Sequence, residues 1–139
     1  MRIEVAGENA LIIYFGEQTD PATSAKVQQA VSVLEVALQD VLIDMVPSYA
    51  SLLVIYDLLA CDHLEIRRRL QQSLTGLDQA SSSAEGQIVT LPVYYSSESG
   101  PDLQALAERA QLSVDEVIKL HCEMEYRVYA IGFAPGFAY

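Results

Sequence analysis

Positive charge is scarce. Eight Lys and Arg stand against nineteen Asp and Glu in 139 residues, a formal net charge of −11. A phosphate binder needs clustered cations, so this balance argues against nucleic acid as a partner. The one basic cluster, Arg67-Arg68-Arg69, falls inside a predicted helix, as a solvated face or an anion site. Cysteine is scarce too. Cys61 and Cys122 share no spacing motif, which predicts two free thiols in a reducing cytoplasm. His121-Cys122-Glu123 with Glu125 has metal-ligand residue types without a metal-site spacing, so no metal is expected. No apolar run reaches the ~18–20 residues that span a bilayer, and no signal-peptide pattern opens the chain. A cytoplasmic protein with no membrane partner is expected. Gly-x-Ser-x-Gly, the Walker A loop and Gly-x-Gly-x-x-Gly are all absent, as is any internal repeat.

What is present is apolar content. At 51% hydrophobic the chain supports a real core in one domain and is not disordered. Residues 3–15 read as a short hairpin with a turn at Gly7-Glu8-Asn9. Asp20-Pro21 starts a helix over about residues 21–39, with Val27, Val31, Leu34 and Leu38 at helical spacing. Strands over 42–46 and 51–56 follow, joined closely enough to pair antiparallel. Asp62 and Glu65 have capping-box spacing before Ile66, Leu70 and Leu74. Residues 76–87 read as a surface loop. Residues 88–95 alternate as a strand, and Pro92 places it at an edge.

The order gives an α+β fold, a ferredoxin-like βαββαβ split unit with an extra N-terminal strand. A C-terminal helix pair plus strand follows. The expected division is residues 1–95 as the α/β core and 96–139 as the helix pair and strand. Gly100-Pro101 opens the first helix of that pair. Ser113 and Glu116 form a second capping box, and residues 126–131 are β-prone. The pair has a helix-turn-helix cadence, but its second helix begins with Asp115 and Glu116, which repel DNA.

Candidate sites are few. His121 ends a helix, where a titratable group can face a cleft as a polar contact or proton carrier. It is the one catalytic candidate; Cys122 beside it makes no dyad, because adjacent helical residues point apart. Ser99, Gly100, Pro101 and Asp102 form a polar loop at a helix N-terminus, a plain connection or an anion site. Gly132, Phe133, Pro135, Gly136 and Phe137 combine permissive backbone with apolar anchors, as a packed turn or an interface loop. No charge follows Arg127, so residues 128–139 read as a segment meant to be covered. Asp44, Asp57 and Asp102 read as turn or cap residues.

Four strings then resemble one family. Tyr94-Tyr95-x-x-x-x-Gly100-Pro101-Asp102-Leu103 is similar to its Y-G-G-x-x-G-P-D-L string, with Ser96-Ser97 in place of Gly-Gly. Leu112-Ser113-x-x-Glu116-Val117-Ile118-x-x-His121 resembles a second. Glu125-Tyr126-x-Val128-Tyr129-x-x-Gly132-Phe133-x-Pro135-Gly136-Phe137-x-Tyr139 resembles the longest, and Val46-Pro47-x-Tyr49-x-Ser51-Leu52-Leu53-Val54 an earlier one. The family is the allophanate hydrolase subunit 1 / KipI-like group, which includes the B subunit of bacterial ATP-dependent 5-oxoprolinase. The resemblance implies an N-terminal α/β domain leading into a cyclophilin-like domain that lies beyond this chain. It implies a partner like the enzyme's C subunit, the allophanate hydrolase subunit 2 type. It also implies kinship to a carboxyltransferase portion of urea carboxylase, and ATP as cofactor of the complete complex. Some relatives instead imply an inhibitor of a sensor histidine kinase.

Overall fold

The computed structural model describes residues 1–77 and 87–139. They form two compact units. One holds residues 1–77 with Val128–Tyr139, and the other holds residues 87–127.

In the first unit, β1 (Arg2–Gly7) and β2 (Ala10–Tyr14) form the expected hairpin, with Ile3 opposite Ile13. Helix α1 (Pro21–Ala37) starts at its predicted cap, where the Asp20 carboxylate accepts the Thr23 N–H at 2.9 Å. Strands β3 (Leu42–Pro47) and β4 (Ser51–Tyr56) pair antiparallel, and α2 (His63–Ser73) follows. The sheet order is β1-β2-β4-β3, antiparallel throughout. The period-2 alternation sends Leu11, Ile13, Leu52, Val54 and Tyr56 into the core. There they meet Val27, Ala30 and Leu34 of α1 and Ile66 and Leu70 of α2. Tyr56 is fully buried, yet its hydroxyl donates to the Glu8 carbonyl at 3.4 Å and lies 3.2 Å from His63 Nδ1. Burial raises its phenol pKa.

The α+β class and both early helices are as read. The strand expected over 88–95 does not form: residues 87–96 carry no ladder, and Ile88, Val89, Leu91 and Val93 are exposed. The edge beside β2 is occupied by β1 instead. A two-residue connection, Glu8-Asn9, closes that hairpin at far less chain entropy than a distant strand would cost. Pro92 adds a missing N–H. The surface loop expected over 76–87 lies mostly outside the described residues.

Two charge readings are sharpened. The Asp62 carboxylate accepts N–H groups of Leu64 and Glu65 at 2.8 Å, but Glu65 does not reach back. Its carboxylate instead takes Arg68, at 2.6 and 2.9 Å, so only half the capping box is made. Arg69 donates to the Asp40 carboxylate at 2.6 and 3.0 Å and to the Ala37 carbonyl at 2.9 Å. It thereby satisfies the C-terminal end of α1, where a cation suits the helix dipole. Arg68 and Arg69 are thus engaged by carboxylates of their own chain.

The same pairs set a pH dependence. Hydrogen bonds from Thr23 hold Asp20 below the usual carboxylate range, and the Arg69 guanidinium does the same for Asp40. A lowered folded-state pKa contributes stability that is complete above the unfolded value, about 4, and is lost as pH falls through the folded value. The melting temperature is expected to drop between about pH 5 and about pH 3. Asp20→Asn/Asp40→Asn should melt lower at neutral pH and show a shallower drop. An unchanged slope in the double variant would contradict the assignment.

In the second unit, α3 (Leu103–Ala110) and α4 (Val114–Glu123) are joined through Gln111, which turns the chain in the left-handed region at φ 58°. The Ser113–Glu116 capping box is complete: Glu116 accepts the Ser113 N–H at 2.8 Å, and Ser113 Oγ accepts the Glu116 N–H at 3.3 Å. Among the described residues of this unit, Ala107 alone is buried.

Candidate functional site

The second unit contains a cavity of about 280 Å³. Its apolar wall comes from Leu103 and Leu106 on α3, Val117 on α4, and Val93 on the extended segment before them. The 3.6-residue period explains the arrangement. Leu103 and Leu106 are three apart on α3, and Val117 and His121 are four apart on α4, so each pair shares a face.

The residues expected from the sequence divide cleanly. Ser99, Gly100, Asp102 and His121 all line this cavity. Pro101 does not, and sits exposed in the turn before α3. Asp102 holds the N-cap position of α3, but its side chain makes no capping bond. The loop before it is a closed serine turn. Ser99 N–H donates to Ser96 Oγ at 3.0 Å, Ser96 N–H donates to Ser99 Oγ at 3.1 Å, and Ser99 Oγ donates to the Tyr94 carbonyl at 2.8 Å. These hydroxyls are engaged with their own loop.

His121 is held by groups that sequence spacing did not single out. Its Nδ1 is hydrogen-bonded to the Tyr95 hydroxyl, 26 residues earlier. Cys122 is exposed, and its thiol donates to the same hydroxyl at 3.6 Å. The neighbouring His121 and Cys122 thus both reach the Tyr95 hydroxyl. The His121 ring also packs against Tyr126 at 5.2 Å and, edge-on, against Tyr95 at 5.8 Å. The Tyr95 phenol pKa is raised, first by its hydrogen bond with Cys122 and then by desolvation.

Gly132, Phe133, Pro135, Gly136 and Phe137 belong to the first unit and make a turn of their own. The strand expected over 126–131 shrinks to a single bridge, Ile131 with Ala138, because the chain doubles back through this turn. Gly132 N–H donates to the Phe137 carbonyl at 3.0 Å, and Tyr139 N–H donates to the Ala130 carbonyl at 2.9 Å. Gly136 needs its glycine, at φ 80°. Gly132 does not: a Cβ there would meet Tyr139 at an ordinary 3.9 Å. Phe137 packs on Phe133 and Tyr139, and Tyr139 and Tyr129 pack on Tyr49. Phe133 stands 92% exposed, so part of this turn is packed and its tip presents a bare ring.

Among the described residues no three His, Cys, Asp or Glu side chains converge to hold a metal, and no helix is long and apolar enough to cross a membrane. The cavity lining contains the Asp102 carboxylate and no Lys or Arg. These residues do not fit the phosphates of a nucleoside triphosphate, which need cations or a glycine-rich cradle.

An antiparallel sheet backed by helices and a short helix pair with its own cavity define an α+β chain of known kind. The family model for the carboxyltransferase domain, subdomain C and D, matches residues 1–139, and the chain belongs to that family. It is 34% identical over 148 residues to the 5-oxoprolinase B subunit of Bacillus subtilis (strain 168), covering 99% of this chain and 61% of that protein. It is 29% identical over 143 residues to the 5-oxoprolinase B subunit of Escherichia coli O157:H7, covering 99% and 62%. The chain thus spans about six-tenths of the length of these relatives. Among solved structures it resembles a conserved uncharacterized protein of Pyrococcus horikoshii, PH0987, at 36% identity and TM-score 0.53, covering 99% of this chain and 62% of that one. It also resembles TTHA0988 at 34% identity and TM-score 0.74, covering 93% and 24%.

Proposed function

We propose that this chain is the N-terminal part of a cytoplasmic subunit of ATP-dependent 5-oxoprolinase. The complete enzyme opens the lactam ring of 5-oxoproline to glutamate. The observation that carries this reading is the match to the 5-oxoprolinase B subunit along 99% of the chain in two organisms. The remaining length of those relatives corresponds, in this reading, to a cyclophilin-like domain. The partner is the enzyme's C subunit, a protein of the allophanate hydrolase subunit 2 type. The exposed Phe133 and the uncharged segment around it suit that docking, since aromatic anchors dominate protein interfaces. The histidine-kinase alternative finds no support among the named relatives.

ATP is assigned to another part of the complex, because this cavity offers phosphates no cation. What this chain supplies is a small pocket with apolar walls and His121 at its lining, together with Ser99, Gly100 and Asp102. Such a pocket orients a small, mostly neutral ring and excludes water from one side of it. Co-expression with an allophanate hydrolase subunit 2-type protein tests the partner. The two are expected to co-elute in size-exclusion chromatography, and Phe133→Asp should separate them. Elution of the wild-type proteins as two unassociated species would contradict the proposal.

A further inference from the structure

The Tyr95 hydroxyl stands between two side chains, Cys122 and His121. The Cys122 sulfur lies 3.6 Å from the Tyr95 oxygen, a long contact that leaves the phenolic proton available to a closer partner. The other partner of that hydroxyl is His121 Nδ1. A phenol O–H is a stronger donor than a neutral imidazole N–H, and a ring nitrogen that accepts a phenolic proton does not carry one itself. In the neutral imidazole the proton then resides on Nε2.

We propose that Tyr95 is a positioning residue that fixes His121 in its Nε2–H tautomer, so that the cavity offers a neutral N–H donor to a ligand carbonyl. The ring's orientation is held as well as its proton, by the edge-on contact with Tyr95 and the tilted contact with Tyr126. The ligand class follows from the rest of the lining. One carboxylate, Asp102, no Lys or Arg, and four aliphatic residues favour an uncharged amide edge over an anion. A lactam presents that edge, with a carbonyl acceptor beside an N–H donor. The ligand part rests on the proposed function; the tautomer is a property of this chain alone.

The test is long-range proton–nitrogen correlation NMR on the full chain, at a pH where the imidazole is neutral. His121→Gln identifies the signals, because His63 supplies the other imidazole. His121 is expected to be dominated by the Nε2–H form. Tyr95→Phe is expected to shift it to a mixture of both tautomers with the helices retained by circular dichroism. A wild-type ring with its proton on Nδ1, or an even mixture, overturns the proposal without recourse to the variant. So does a folded Tyr95→Phe protein whose tautomer is unchanged. Pyrrolidin-2-one, a neutral lactam without a carboxylate, is the probe for the ligand part. It is expected to move the His121 Nε2 resonance at millimolar concentration, and absence of any shift overturns the donor role. A positive result here with no lactam-opening activity in the assembled complex would leave the donor assignment standing and remove only the proposed function.

Discussion

His121→Ala is expected to lower kcat of the assembled enzyme about 100-fold while changing KM little. A hydrogen-bond donor aimed at a carbonyl matters most when negative charge develops on that oxygen. Removing one such donor typically costs about 10²–10³ in kcat. The lining has no cation to compensate. His121→Gln, which replaces the ring N–H with an amide N–H, should recover part of the loss. Steady-state glutamate release at saturating 5-oxoproline and ATP measures both. An alanine variant with wild-type kcat would remove His121 from the chemistry. A large rise in KM alone would make it a uniform binding contact instead.

Leu52→Ala is expected to destabilise the fold by about 2–5 kcal/mol. Leu52 is 0% exposed. On β4 it lies opposite Ile13 on one side and Pro47 on the other, at the middle of the four-stranded sheet. No neighbour can move in without breaking the ladder, so a cavity remains. Urea unfolding followed by circular dichroism should show a lower midpoint with an unchanged slope. Leu59→Ala provides the contrast. That side chain is 99% exposed, and its removal should change stability by less than about 0.5 kcal/mol. Equal effects from the two variants would contradict the placement of the core.

These two cases show where sequence was informative. Local chemistry was legible. Asp20-Pro21 capped α1, the Ser113–Glu116 box formed in full, and helical spacing grouped Val27 and Leu34, which α1 buries. Choices among partners were not. Residues 88–95 have a strand's alternation, but alternation does not say which edge accepts a strand, and the adjacent hairpin holds the place beside β2. Glu65 had two partners within reach and took the guanidinium of Arg68 over the backbone of its own cap. A charge-assisted pair is the stronger hydrogen bond.

The candidate site divides the same way. His121 and the loop at 99–102 carried a local signal, as a helix end and a turn, and the structure gathers His121, Ser99, Gly100 and Asp102 around one cavity. Tyr95 carried none. It acts on His121 across 26 residues, a separation with no periodic signature, and the tyrosine pair Tyr94-Tyr95 looks like any apolar strand end. From the sequence, His121 and Cys122 were expected to point apart as adjacent helical residues. A third side chain, Tyr95, joins them through its single hydroxyl.

Service in a 5-oxoproline-opening enzyme is tested head-on by reconstitution. The quantity to measure is ATP-dependent glutamate release from 5-oxoproline. The gene product carrying residues 1–139 is combined with its allophanate hydrolase subunit 2-type partner and the remaining protein of the enzyme. Release is expected to require all three proteins and ATP together. Equal release when this polypeptide is omitted, or none when all are present and assembled, would contradict the assignment.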